Sequence, residues 1–285
     1  MNAKMRDVAA IVRITRPANA ALMGVAVIVG FILSHGSMTM LPQMVSGAAA
    51  ASLLIALANT TNDIVDADVD KINSPTRPIP SGKVNIVEAR SLSLILFFLG
   101  LLASFLTFNL LYVLMALEAS ALSILYNVYL KKTGLVGNVL VSALVALPFV
   151  AGGAIATSHL PAYLLLFSVM AFLTNLGREV HKGVIDVKGD LLKGIETPAV
   201  KYGEAPAKGL AAFFYVMAIV CTFLPAVAGI TNRYYVYAIM IPDIIILIST
   251  LKTLTTDDKR TLIKMKDLIR VAMMLGMLSF VLGSL

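Results

Sequence analysis

Two acidic runs in the chain share one spacing. Asn59, Asp63, Asp66 and Asp70 follow one another at intervals of 4, 3 and 4, and Glu179, Gly183, Asp186 and Asp190 repeat those intervals 120 residues later. On a helix of 3.6 residues per turn the first set falls within an arc of about 60°, with Asn62 at its edge and Asp68 on the opposite face. Pro198 likewise lies 120 residues after Pro78, which predicts two related halves with their polar faces turned toward one another. A lone acidic cluster reads as a solvated helix end, where like charges four apart cost only a few tenths of a kcal/mol. Two clusters facing each other are different: carboxylates about 4–6 Å apart repel by a few kcal/mol per pair at an effective dielectric near 20. A cation between them is therefore expected. All-oxygen ligands suit Mg²⁺, which completes its shell with water and substrate phosphates. Lys71, Arg77, Arg178 and Lys182 stand beside the two runs to hold the remaining phosphate oxygens.

The elements that position these residues are membrane helices. The 285 residues are 59% hydrophobic and only 14% charged, against about 25% charged in soluble domains. A water-soluble enzyme, a disordered chain and a disulfide scaffold are thereby excluded. The net charge of +7 does not indicate nucleic acid, since no soluble basic domain is present to carry a patch. Cys221 is the only cysteine, so neither an intrachain disulfide nor a cysteine metal site can form.

Stretches without charge mark the spans, each needing about 20 apolar residues. Residues 17–62 are uncharged and break at 34–37 and Pro42; 91–130 hold one acid, Glu118, and break at 107–109; 133–177 break at 157–161. With 209–232, 234–251 and 268–285 the prediction is nine transmembrane helices in one polytopic domain, 1–285, whose acidic motifs occupy 59–82 and 178–203. Of the 23 basic residues, 22, from Lys4 and Arg6 to Arg270, fall on one side of this topology and only Arg233 on the other. The positive-inside rule makes that side cytoplasmic, with the N-terminus inside, the C-terminus outside and no cleavable leader expected.

Asn62-Asp63-x-x-Asp66-x-x-x-Asp70 followed by Arg77-Pro78-Ile79-Pro80-Ser81-Gly82 resembles the first aspartate-rich motif of the UbiA superfamily of intramembrane prenyltransferases. Asp186-Val187-x-Gly189-Asp190, with Thr197-Pro198 and Tyr202-Gly203 after it, resembles the second. Arg16-Pro17-x-Asn19, and Tyr126 through Lys131-Lys132 to Gly137-Asn138, are similar to the family as well. The resemblance covers nearly the whole chain. It implies an all-α fold around a central cavity, with Mg²⁺ bridging Asp63, Asp66, Asp70, Glu179, Asp186 and Asp190 to an isoprenyl diphosphate. Many members carry another acid where this chain has Gly183. The run Gly177-Arg178-Glu179-Val180-x-Lys182-Gly183 is instead similar to the archaeal digeranylgeranylglyceryl phosphate synthases. That likeness implies transfer of a geranylgeranyl group from its diphosphate to the hydroxyl of a lipid phosphate, geranylgeranylglyceryl phosphate.

An alkyl hydroxyl is a poor nucleophile, so the expected path ionises the allylic C–O bond first. Asp63, Asp66, Asp70, Asp186 and Asp190 are the expected catalytic acids, and Tyr126 is the aromatic candidate to face the cation. Substrate contacts are expected from Arg16, Asn19, Asn59, Asn62, Lys71, Arg77, Lys131, Arg178 and Lys182. Arg16, Lys131, Lys132 and Arg178 are the candidates for the acceptor's phosphate. Membrane lipids are the expected surroundings; no nucleic acid and no obligatory protein partner are expected.

An aromatic acceptor and a transporter of cations or anionic solutes are the competing functions, but a transporter places its ion-binding acids near the bilayer midplane. Glu118 and Asp243 fall inside expected spans, where an acid is a functional candidate by default; packing for Glu118 and support of an opened helix at Pro242 for Asp243 are the alternatives. His35 and His159 fall in outer turns, and His181 points off the acidic face. Gly152-Gly153 and the alanines at 48–51 read as helix-packing surfaces, and the polar tract 255–266 as an exposed connection.

Overall fold

The structure, a computed structural model, describes residues 7–157, 162–192 and 194–284. Lys4, Arg6, His159 and Lys193 lie outside them, as does most of the 157–161 break. Among the described residues there is no strand. The helices are α1 (Val8–Thr15), α2 (Pro17–Leu33), α3 (Leu41–Val65), α4 (Ala67–Asn73), α5 (Ile86–Phe105), α6 (Leu110–Val128), α7 (Leu135–Thr157), α8 (Leu164–Leu192), α9 (Pro198–Tyr202), α10 (Glu204–Thr222), α11 (Leu224–Val227), α12 (Arg233–Thr255) and α13 (Lys259–Ser284).

Local chemistry starts them where it should. Proline stands in the first turn of α2, α3, α9 and α11, where its missing N–H has no intrahelical partner to lose. Asn85 and Glu88 form a reciprocal capping box on α5, and Asn109 and Asn232 cap α6 and α12. Asn109 thus realises the expected break at 107–109.

Packing runs from α2 to α3, α6, α7, α8, α10, α12 and α13, and α13 returns to α2. The helices therefore close a ring, with α5 outside it on α3. Phe149, Phe167, Tyr235 and Phe280 fill one end of the interior. Leu94, Phe98, Leu102 and Phe105 of α5 and Ile241, Ile244 and Ile248 of α12 are exposed, a surface suited to lipid rather than water.

Seven helices are long and apolar enough to cross a membrane, or eight if α1 and α2, bent by 46° at Arg16, count as one span. The 29-residue α8 is not among them, because its second half carries the charges of the second motif.

Three expectations are corrected. The first motif does not lie on one unbroken helix: α3 ends at Val65 and Asp66 joins it to α4. The tract 255–266 is an exposed connection only over 256–258, since α12 runs to Thr255 and α13 starts at Lys259. Leu262, Met265, Ile269 and Ala272 give that first part of α13 a buried stripe at helical spacing, which the surrounding charges obscure. Glu118 makes no helix-packing contact; it is exposed on α6.

Candidate active site

Arg16 is the corner of the site. It ends α1 and starts α2 with φ of 50°, a left-handed conformation that is costly for a residue with a side chain. The bend turns its guanidinium toward α3, where Nη2 donates to Asp63 Oδ1 at 2.6 Å and to Asn62 Oδ1 at 3.3 Å. Asn62 donates in turn to Asn127 Oδ1, and Asn127 to the carbonyl of Ala58, each at 3.1 Å. Asn59 donates to the carbonyl of Thr15 at 3.0 Å. These amides tie the α1–α2 corner, α3 and α6 together.

Asp63, Asp66 and Asp70 are 6%, 8% and 3% exposed, although a helix break separates the first from the last. Cations hold all three: Arg16 on Asp63, Lys131 on Asp66, and Arg77 on Asp70 at 2.5 Å while also reaching Asp63 at 3.9 Å. Asp68 is 91% exposed at its side chain and binds only Lys71, whose hydrogen bond holds its carboxyl below the ordinary carboxylate range. Asp68→Ala is accordingly expected to leave turnover within about twofold, because an exposed pair contributes about 1 kcal/mol or less. Steady-state assays beside Asp66→Ala check this, and an equal loss in both variants would refute the facial assignment.

The second motif is less enclosed. Glu179 faces both Arg178, at 3.2 Å, and Lys182, at 3.5 Å. Asp186 is exposed and Asp190 half-buried. Gly183, where the first motif has Asp63, packs beneath Thr197: a Cβ there would lie 3.3 Å from the threonine Cβ, a tight contact that requires Thr197 to give by a few tenths of an ångström. His181 is fully buried, off the acidic face, with Nδ1 3.5 Å from the Tyr215 hydroxyl.

The two halves enclose a cavity of about 830 Å³. Arg16, Asn19, Asn59, Asn62 and Arg77 line it from the first half, Tyr126 and Lys131 from α6 and the turn after it, and Arg178, Glu179 and Lys182 from α8. Asp63, Asp66 and Asp70 stand one step behind the lining, through the cations they hold. Asp186, Asp190 and Lys71 are not in the wall. Among the described residues no three acids or histidines converge on one metal position. The donor set of the first motif, three buried carboxylates with Asn59 and Asn62, nevertheless has the oxygen chemistry that Mg²⁺ takes.

Polar lining residues not singled out by sequence reasoning as site residues include Arg13 on α1, Asn127 on α6, Asn175 on α8, and Lys266 and Arg270 on α13. The spacing of four between Lys266 and Arg270 places that pair on one helix face, and that was the available signal; Arg13 stands in the last turn of α1, before the bend at Arg16. Below the polar chamber lies a smaller apolar one of about 90 Å³, lined by residues such as Met23, Val27, Leu54 and Tyr112. Ile55, Ala58, Ser123 and Leu144 belong to both walls. Asp243 is elsewhere, buried and accepting from the Thr222 hydroxyl at 2.8 Å.

Comparison with known proteins places this geometry. Residues 23–274 match the UbiA prenyltransferase family. A digeranylgeranylglyceryl phosphate synthase of Thermococcus gammatolerans is 35% identical over 281 residues, covering 98% of this chain and 99% of that one. A solved structure of a digeranylgeranylglyceryl phosphate synthase superposes with TM-score 0.77 at 27% identity, over 98% of this chain and 99% of the other. A UbiA homolog from Archaeoglobus fulgidus bound to DMAPP and Mg²⁺ shares the fold, with TM-score 0.66 at 19% identity over 94% and 98% of the two chains.

Proposed function

Since the chain belongs to the UbiA prenyltransferase family, we propose that it transfers a geranylgeranyl group from geranylgeranyl diphosphate to the free hydroxyl of geranylgeranylglyceryl phosphate. The product is the second ether bond of an archaeal membrane lipid, with pyrophosphate released. The observation that carries this reading is the pairing of chambers, a cation-lined one sharing a wall with an apolar one. An amphiphile with a diphosphate head and a polyene tail has that shape. The relative's name supplies the acceptor.

Mg²⁺, when bound, supplies charge stabilisation to the departing pyrophosphate; Asp63, Asp66 and Asp70, with Glu179, Asp186 and Asp190 opposite, are the residues to hold it. Arg16, Arg77 and Lys131 bind the diphosphate oxygens, and Asn19, Asn59 and Asn62 orient them. The allylic C–O bond breaks with its electron pair going to the diphosphate, and the acceptor oxygen then forms the new C–O bond and gives its proton to the released pyrophosphate. Tyr126 presents its ring to the allylic cation, while the apolar chamber excludes water from it. The membrane topology belongs to the same reading: nine spans, with α8 counted, the N-terminus and the mouth of the cavity cytoplasmic, and the C-terminus outside.

Purified protein given geranylgeranyl diphosphate, Mg²⁺ and either geranylgeranylglyceryl phosphate or 4-hydroxybenzoate is expected to prenylate the lipid phosphate, identified by product mass. Prenylation of the aromatic acid alone would overturn the assignment.

A further inference from the structure

The cations around the cavity are not equally committed. In the first half, Arg16, Arg77 and Lys131 each hold a buried carboxylate, and Arg13 lines the wall as a fourth cation. The opposite wall carries four cations, Arg178, Lys182, Lys266 and Arg270, but only one lining acid, Glu179, which Arg178 and Lys182 share. Lys266 and Arg270 reach Asp267 at 3.8 and 3.4 Å, yet that acid is half exposed and outside the cavity wall. Arg178 stands within electrostatic reach of both Lys266 and Arg270, and Asp186 within reach of Lys266 and Lys182. The Nε atoms of Arg178 and Arg270 are buried with no acceptor among the described residues. Buried donors without acceptors are costly, and like charges gathered on one wall of a cavity hold that arrangement for an anion.

We propose that Arg178, Lys266 and Arg270 form a phosphomonoester subsite, separate from the diphosphate site, that anchors the phosphate of the acceptor lipid. This rests on the reading of function given above. Two substrates that both carry phosphate need two cation sets, since one set would draw both headgroups to the same place. The first-half cations sit beside the metal-type carboxylates and serve the donor; the α8–α13 wall serves the acceptor. A glyceryl phosphate bearing one alkyl ether has a single free hydroxyl, at most two carbons from the carbon that carries the phosphate. Fixing the phosphate on this wall therefore sets the nucleophilic oxygen within a few ångströms of it, facing the donor across the cavity. Arg178 alone was a candidate for this role on sequence; of the others, Arg16 and Lys131 are held by Asp63 and Asp66, and Lys132 is exposed outside the cavity wall.

The test uses Lys266→Gln, Arg270→Gln and the conservative Lys266→Arg in the full-length detergent-solubilised protein. Substrates are geranylgeranylglyceryl phosphate and its phosphate-free analogue geranylgeranylglycerol. Each glutamine variant is expected to raise the KM for the phosphorylated acceptor about tenfold to a hundredfold, the range for one charged hydrogen bond. The KM for geranylgeranyl diphosphate stays within about twofold, the wild-type preference for the phosphorylated acceptor collapses, and Lys266→Arg restores most of it. Calorimetric titration with the phosphorylated acceptor, without donor, reads binding apart from turnover. A rise in donor KM instead, or an unchanged preference between the acceptors, would overturn the subsite while leaving the function in place. Phosphate-dependent binding that these variants weaken, in a wild-type protein that does not prenylate this acceptor, would keep the subsite and remove the function.

Discussion

Asp66→Ala is expected to lower the rate of Mg²⁺-dependent pyrophosphate release about a thousandfold, equivalent to about 4 kcal/mol of transition-state stabilisation. Asp66 is 8% exposed and bound to Lys131, a cation in the cavity wall. Removing its carboxylate takes a ligand from the proposed metal position and leaves Lys131 without that partner. Asp66→Asn separates the two effects: it keeps the side-chain volume and an acceptor for Lys131 but removes the charge a metal needs. Asp190→Ala tests the opposite motif and is expected to show a comparable loss. Both variants should retain the wild-type elution volume, because neither residue belongs to the apolar clusters of the bundle, while Asp66→Ala melts lower than wild type because it strands Lys131. Near-normal turnover in both, measured as pyrophosphate released over time, would rule out the two-motif mechanism.

The second large effect concerns stability. Gly30 of α2 and Gly152 of α7 let these two helices pack backbone to backbone. A Cβ on Gly30 would lie 2.0 Å from the carbonyl oxygen of Phe149, and one on Gly152 2.0 Å from that of Val27. Both obstacles are backbone, so no side chain can rotate away, and the helices must separate. Gly30→Ala or Gly152→Ala is expected to destabilise the protein by about 3 kcal/mol, at the upper end for overpacking, lowering its melting midpoint by roughly 6–10 °C. Gly209→Ala is the control, since an added Cβ there meets nothing within 4 Å and alanine is the better helix former. Equal melting of Gly30→Ala and wild type, followed by size-exclusion after heating, would show that the crossing does not set the stability. The expectation that Gly152-Gly153 is a packing surface agrees with this contact.

What could be read from the sequence follows from which interactions are local. Absence of charge over 17–62 or 133–177 is a property of a continuous segment; α2 and α7 lie within those stretches, and α3 leaves the first only in its last turn, at Asp63. The helical period separated Asp63, Asp66 and Asp70 from Asp68, and burial separates them the same way, despite the break at Asp66. Partners were less accessible. Arg16 meets Asp63 and Lys131 meets Asp66 across 47 and 65 residues, pairings set by helix packing that no spacing rule encodes. Lys71, placed by proximity in the chain, instead turns outward to Asp68. Lys266 and Arg270 were hidden for the opposite reason. Their neighbours Lys259, Arg260 and Lys264 made the segment read as solvated, and only the stripe of Leu262, Met265 and Ile269 turns one of its charged faces into the cavity wall.

The capped carboxylates also bear on the order of binding. On the proposed reading, Asp63, Asp66 and Asp70 loosen their pairs with Arg16, Arg77 and Lys131 when metal and diphosphate bind together, so these pairs would act as an ion exchanger within the wall. Giving up its guanidinium or ammonium partner, each aspartate frees a cation for an incoming phosphate oxygen. Neither half of the exchange is favourable alone, because metal without diphosphate strands the released cations, and diphosphate without metal strands the carboxylates. Reciprocal linkage then requires each to raise the affinity of the other by the same factor. Arg178, Lys182, Lys266 and Arg270 still face a single lining acid, Glu179, so a metal-bound diphosphate would enter a chamber already biased toward anions.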